Sequence, residues 1–141
     1  MKTSTSLVSG FKEIDHTADW AYQVWADSLD NLFKQAASGL YYLAGMVLTC
    51  EPVSTHTIAL AAVDRESLLV AWLNELLYLH EEHNLGVEVI QDFCLNPTSL
   101  QATVATRPVQ RWIKDIKAVT YNNLSILTTP YGFEVTLVLD V

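Results

Sequence analysis

Apolar residues recur with two periods along this chain, and the periods divide it into strands and helices. Phe11 to Ile14 is a short strand candidate. Tyr22, Val24 and Ala26 then alternate with Ala21, Gln23 and Trp25, as a strand requires. Ser28 is an N-cap residue type. After it Leu29, Leu32, Phe33, Ala36, Leu40 and Tyr41 fall at helical spacing and predict a helix over residues 29–44. Gly39 weakens that helix by about 1 kcal/mol relative to alanine, and Gly45 is a fitting stop. Residues 52–63 alternate again, Val53, Thr55, Thr57, Ala59 and Ala61 against Ser54, His56, Ile58, Leu60 and Ala62, which predicts a strand. Asp64 resembles a second N-cap with Glu66 in the first turn. It opens a helix over residues 65–83, and Gly86 restarts the chain after it. Further strands are expected over residues 87–95, 99–107, 116–121, 124–127 and 133–139. Asn96-Pro97-Thr98 and the Pro130/Gly132 pair mark turns between them.

The second helix constrains the architecture. Leu69, Trp72, Leu73, Leu76 and Leu77 make one face, and Leu68, Val70, Ala71, Tyr78 and Leu79 fill much of the rest. A helix that is apolar nearly all round must be covered on more than one side. In a chain with this many strands, a sheet on each side supplies the cover. The fold class is α+β (mixed α/β).

The length of 141 residues suits one domain with its own core. Residues 1–10 read as a flexible leader and residues 11–141 as the domain. Half the residues are hydrophobic and 17% are charged, which excludes a disordered chain. The longest apolar runs, Ile58 to Val63 and Leu68 to Leu73, are too short to cross a bilayer, so no membrane partner and a cytoplasmic location are expected. The net charge of −8 argues against direct nucleic-acid binding, which needs clustered cations. Four of the eight basic residues lie close together, Arg107, Arg111, Lys114 and Lys117. An acidic surface suits a bound cation or a basic partner. Cys50 and Cys94 lack metal-ligand spacing and read as buried free thiols.

The segment Asp15-His16-Thr17-Ala18-Asp19 is the first chemical candidate. It places two carboxylates and an imidazole between two strands. Its oxygen donors without thiolates favour a hard cation such as Ca²⁺ or Mg²⁺. The same residues also suit turn chemistry, bonding nearby backbone groups. Asp140 is the second candidate. If the last strand ran beside the first, Asp19 and Asp140 could meet, and paired carboxylates repel unless a cation or proton lies between them. Lys117 opens a strand and can balance an acidic cluster or touch a partner. His80 and His83, three apart on one helix, lack a third ligand and read as a solvated helix end. No phosphate-binding glycine loop, paired-cysteine motif or nucleophile elbow occurs, so the chain offers little support for an enzyme.

Three segments together resemble the archease family. The first is Phe11 to Asp19, followed by Ser28 to Phe33. The second is Asp64 to Leu69 with Trp72-Leu73-Asn74-Glu75-Leu76-Leu77-Tyr78. The third is Ile116-Lys117-Ala118-Val119-Thr120-Tyr121 with Leu139-Asp140-Val141. The resemblance spans residues 11–141 in order and register. It implies a three-layer β/α/β sandwich with the two helices between the sheets. It implies an accessory protein, not an enzyme, that activates an RtcB-type tRNA-splicing RNA ligase by promoting its guanylylation and repeated turnover. An alternative role is chaperone or modulator of a tRNA-modifying enzyme such as a tRNA methyltransferase. The family's metal site maps onto Asp19 and Asp140, with Val141 adding a backbone or terminal oxygen. Ca²⁺ is the expected ion, with Mg²⁺ or Mn²⁺ as alternatives. Asp15 and His16 become supporting groups, and Lys117 a contact to the ligase or its nucleotide. The chain departs from the family at Asn122, where histidine is frequent. Asparagine keeps a donor and an acceptor but carries no proton. An autonomous metal-dependent hydrolase is a third reading, with only His16 near the site as a base.

Overall fold

The computed structural model describes residues 8–14, 20–121 and 123–141, and the backbone of residues 3–4. In chain order the elements are β1 (Thr3–Ser4), β2 (Gly10–Ile14), β3 (Trp20–Ala26), α1 (Leu29–Ala44), β4 (Val47–Leu48), β5 (Ser54–Ala61), α2 (Arg65–His83), β6 (Leu85–Asn96), β7 (Ser99–Arg111), β8 (Ala118–Thr120), β9 (Leu127–Thr129) and β10 (Gly132–Asp140). One antiparallel sheet runs β1-β2-β3-β10-β8, with β9 also on β10. The other is centred on β7, which pairs with β4, β5 and β6. The expected mixed α and β class is therefore present.

Both helices contact both sheets, α1 reaching β2, β3, β10 and β6, and α2 reaching β5, β6, β7 and β8. This is the double cover that the apolar second helix required. Leu68, Leu69, Trp72, Leu73, Leu76, Leu77 and Leu79 of α2 are buried, Val70 and Ala71 are partly buried, and Tyr78 stays half exposed. Hydrogen bonds tie the layers. Tyr22 Oη on β3 donates to the Ala36 carbonyl of α1 at 2.8 Å. Trp72 Nε1 on α2 donates to the Phe33 carbonyl of α1 at 3.0 Å. Phe93 of β6 packs edge-on against both Phe33 and Trp72.

The helix signals read as expected. Ser28 accepts from the Asn31 N–H, Asp64 accepts from the Ser67 N–H at 2.7 Å, and Gly45 closes α1 with φ 69°. Gly86 has a different role from the restart assigned to it. Asn84 ends α2 with φ 54°. Gly86 lies inside β6, where a Cβ would run into the Met46 thioether. The strand expected over residues 124–127 moves to Leu127–Thr129. Leu124 and Ile126 alternate because both are buried, yet the Ile126 N–H and carbonyl bond to α2 side chains and not to a strand. Two residues of the expected leader, Thr3 and Ser4, pair with β2 opposite Lys12 and Phe11.

Candidate functional site

β3 and β10 run antiparallel from Phe133↔Ala26 to Leu139↔Trp20. The start of β3 therefore lies against the end of β10. On its other side β10 pairs with β8, Asp140 facing Ala118, and the Lys117 N–H donates to the Asp140 carbonyl at 2.8 Å. Trp20, Asp140, Val141 and Lys117 thus gather at one end of the sheet. The side chains of Asp140, Val141 and Lys117 are exposed.

The segment from Trp112 to Lys117 completes this end and is held from three sides. The Ile113 and Lys114 N–H groups both donate to the Ala44 carbonyl at the end of α1. Trp112 stacks on His80 of α2, ring centroids 3.8 Å apart and planes within 9°. It also meets Tyr41 edge-on. Lys117 bonds to β10 as described. Held in this way, Lys114 places its Nζ 5.4 Å over the Trp20 ring. The opposite demand on Trp20 comes from β2, where Glu13 Oε2 accepts the indole N–H at 2.7 Å. Trp20 is thus gripped by an anion at its edge and a cation over its face, an arrangement that suits the ring quadrupole. Burial against Trp112 pushes the His80 imidazole below its usual range, and Asp115 and Glu81 oppose that shift.

The acidic start of α2 secures the other end of β8. Asp64 Oδ2 lies 3.4 Å from the Tyr121 hydroxyl. Arg65 donates to the Ile126 carbonyl and Glu66 accepts the Ile126 N–H. One turn after Val70, Asn74 takes both main-chain groups of Val119, donating to its carbonyl at 3.2 Å and accepting its N–H at 2.8 Å. These residues act on the site through β8, whose register with β10 fixes Asp140. The Asp64 carboxyl is held below the usual carboxylate range, chiefly by the Ser67 N–H.

The sequence model of the archease protein family matches residues 11–141. The chain belongs to the archease family. A protein archease of Methanosarcina mazei is 30% identical over 93% of this chain and 95% of its own. One from Methanopyrus kandleri is 30% identical over 82% and 88%. The fold matches that of a Thermotoga maritima archease, described as a possible chaperone, with a TM-score of 0.66, 23% identity and coverage of 92% and 96%.

Archease membership accounts for the three segments in register, and the geometry shows how they cooperate. The first leads into β3, the third forms β8 and the end of β10, and the second clamps β8 in place. Asp15, His16, Asp19 and Asn122 lie outside the described residues. Among the described residues no group of three or more His, Cys, Asp or Glu side chains is arranged to hold a metal ion. Nor is any helix among them long and apolar enough to cross a membrane. Asp140 and Lys117 share one strand end, whereas the surface cavity of about 530 Å³ lined by Leu29, Val63, Asp64 and Leu95 lies at the N-terminal ends of the helices, away from it.

Two expectations are corrected. Cys50 and Cys94 are free but exposed. Cys94 lies on β6 between the inward Phe93 and Leu95, so strand alternation turns it outward. His80 is not a solvated helix end, because Trp112 covers its ring. Sequence reading missed Trp20, Glu13 and Asn74. Glu13 and Trp20 are seven residues apart on two strands, and only their pairing brings them together. Asn74, a polar residue on a helix otherwise apolar on that side, carried the one signal that could have been read.

Proposed function

We propose that this archease activates an RtcB-type RNA ligase, and that the end of the sheet bearing Asp140 is its working surface. The pairing of Trp20 with Leu139 is the observation that carries the reading. It sets the residue after Asp19 opposite the residue before Asp140. Asp19 and Asp140, with a Val141 oxygen, would hold a hard divalent cation: oxygen donors suit Ca²⁺ and Mg²⁺ alike, and the likeness to archeases puts Ca²⁺ first. An exposed carboxylate at a strand end fits such an ion, and Asp140 supplies one. When bound near a nucleotide, a cation of this kind neutralises phosphate charge. Asp15 and His16 would support the ligands.

The chain's own residues have separate tasks in this scheme. Glu13 and Lys114 fix the Trp20 ring, and with it the entry to β3. Asn74 fixes β8, which sets Lys117 beside Asp140. Lys117 would contact the ligase or its bound nucleotide. The acidic surface opposes RNA and favours a basic cleft of the ligase, where docking selects the nucleotide-ready conformation.

Multiple-turnover RNA ligation by the host's own ligase tests the proposal, with wild-type protein, Asp19→Ala and Asp140→Ala. Stimulation by the wild type, lost at least about tenfold in both variants, is expected. Calcium titration calorimetry on the same proteins should show binding by the wild type alone, with unchanged circular dichroism throughout. An active ligase that ignores the folded wild-type protein would refute the activator role. It would favour a modulator of a tRNA-modifying enzyme such as a methyltransferase.

A further inference from the structure

An edge strand offers unpaired N–H and C=O groups to any other strand, and proteins guard such edges by shortening, bulging or charging them. Among the described residues most edges of this fold are guarded. In the first sheet β1 has two residues, and β8 and β9 have three each. In the second, β6 is long, but its register shifts at Val87/Val89 and Ile90/Asp92, and it exposes Glu88 and Asp92.

β5 has none of these protections. Its eight residues pair with β7 without a shift, from Ser54↔Thr106 to Ala61↔Ser99. Its sequence, Ser-Thr-His-Thr-Ile-Ala-Leu-Ala, holds no acidic residue, lysine, arginine, proline or glycine. Ser54, Thr55, Thr57, Ala59 and Ala61 are exposed, and β7 is the one strand with which β5 pairs among the described residues.

The strand is also complementary to itself. Val53 and Val63 flank it at equal distance from Ile58, and they are 42% and 85% exposed. In an antiparallel pairing of two copies centred on Ile58, Thr55 of each falls opposite Ala61 of the other, and Thr57 falls opposite Ala59. No carboxylate enters the paired stretch. For a chain of net charge −8, that makes β5 an edge along which two copies can approach without facing carboxylates.

We infer that the outer edge of β5 is the contact through which two copies of this chain associate about a two-fold axis, joining their β7-centred sheets into one. Such a contact is isologous, the commonest form of self-association. Edge pairing alone buries less than the roughly 1,600 Å² of a standard interface, so the dimer forms with rising concentration and is not obligate. The inference stands apart from the ligase reading, since β5 lies in the other sheet from Asp140.

Sedimentation equilibrium on the full chain tests it, from micromolar to near-millimolar protein. The wild type should rise from the monomer mass of 15.8 kDa towards twice that value. Thr57→Lys/Ala59→Lys sets lysines against lysines across the axis and should weaken the dimer at least about tenfold. Thr57→Asp/Ala59→Asp should do the same. Mixing the two variants should restore association, which a misfolded chain could not do. A wild type that stays monomeric at every concentration overturns the inference. So does a dimer that both variants leave unchanged, or a mixture that fails to associate while each variant keeps the wild-type circular dichroism.

Discussion

Gly39→Ala sets two effects of opposite sign against each other. In an isolated helix the substitution would stabilise by about 1 kcal/mol. Here a Cβ at position 39 would lie 2.7 Å from Tyr22 Cε2 and 3.0 Å from Phe11 Cγ. Tyr22 is fully buried, and its hydroxyl donates to the Ala36 carbonyl of the same helix. The ring cannot retreat from Gly39 without straining that bond. Overpacking of this kind costs about 1–3 kcal/mol, and a weakened buried hydrogen bond adds about 1 kcal/mol. Packing therefore outweighs propensity, and the net loss should be about 1–3 kcal/mol. For 141 residues the unfolding entropy is about 0.3 kcal/mol per degree, so Tm should fall by about 3–10 °C. Thermal unfolding followed by circular dichroism measures this. Tyr22→Phe removes the anchoring hydroxyl, and in that background the Gly39→Ala loss should shrink by about 1 kcal/mol. A Tm that rises in Gly39→Ala, or a loss that is equal in both backgrounds, would refute the reasoning.

Asn74→Ala should cost about 1–3 kcal/mol, because it leaves both main-chain groups of Val119 without their partner; urea unfolding reads this, and hydrogen exchange should show faster exchange confined to β8. Asp64→Ala should lower Tm by removing the cap of α2. Because the folded Asp64 carboxyl titrates below its unfolded value, its stabilisation is complete above roughly pH 4 and fades as pH falls through the folded value. The Tm gap between wild type and Asp64→Ala should therefore close in that acidic window, and a gap independent of pH would refute the link.

Much of the fold was legible because two short-range signals agree. Ser28 and Asp64 open helices that end at Ala44 and His83, and each cap bonds as its residue type predicts. The all-round apolar α2 even announced a third layer. Legibility failed where burial and strand pairing part company. Leu124 and Ile126 alternate like a strand, yet Arg65 and Glu66, some sixty residues away, take the Ile126 backbone. Cys94 failed for the converse reason, since a residue type that favours the interior met a strand face that points outward.

The site divides along the same line. The positions of Asp140 and Lys117 could be read from their segments, because local sequence places each at a strand end. What could not be read is the framework that holds them. Trp20 needs Glu13 from β2 and Lys114 from the segment after β7, and β8 needs Asn74 from α2. None of these pairs is close enough in sequence to leave a periodic trace. The second of the three segments therefore looks like a site and acts as a brace. Asp64, Arg65, Glu66 and Asn74 all bond to the stretch from Val119 to Ile126, and the Asp64 carboxylate accepts from the Ser67 N–H and the Tyr121 hydroxyl. A carboxylate committed to a helix cap and a tyrosine has fewer lone pairs left for a cation. Acidic residues at the start of α2 thus serve the position of β8, and the surface proposed for the ligase is the opposite end of that strand, where Lys117 meets Asp140.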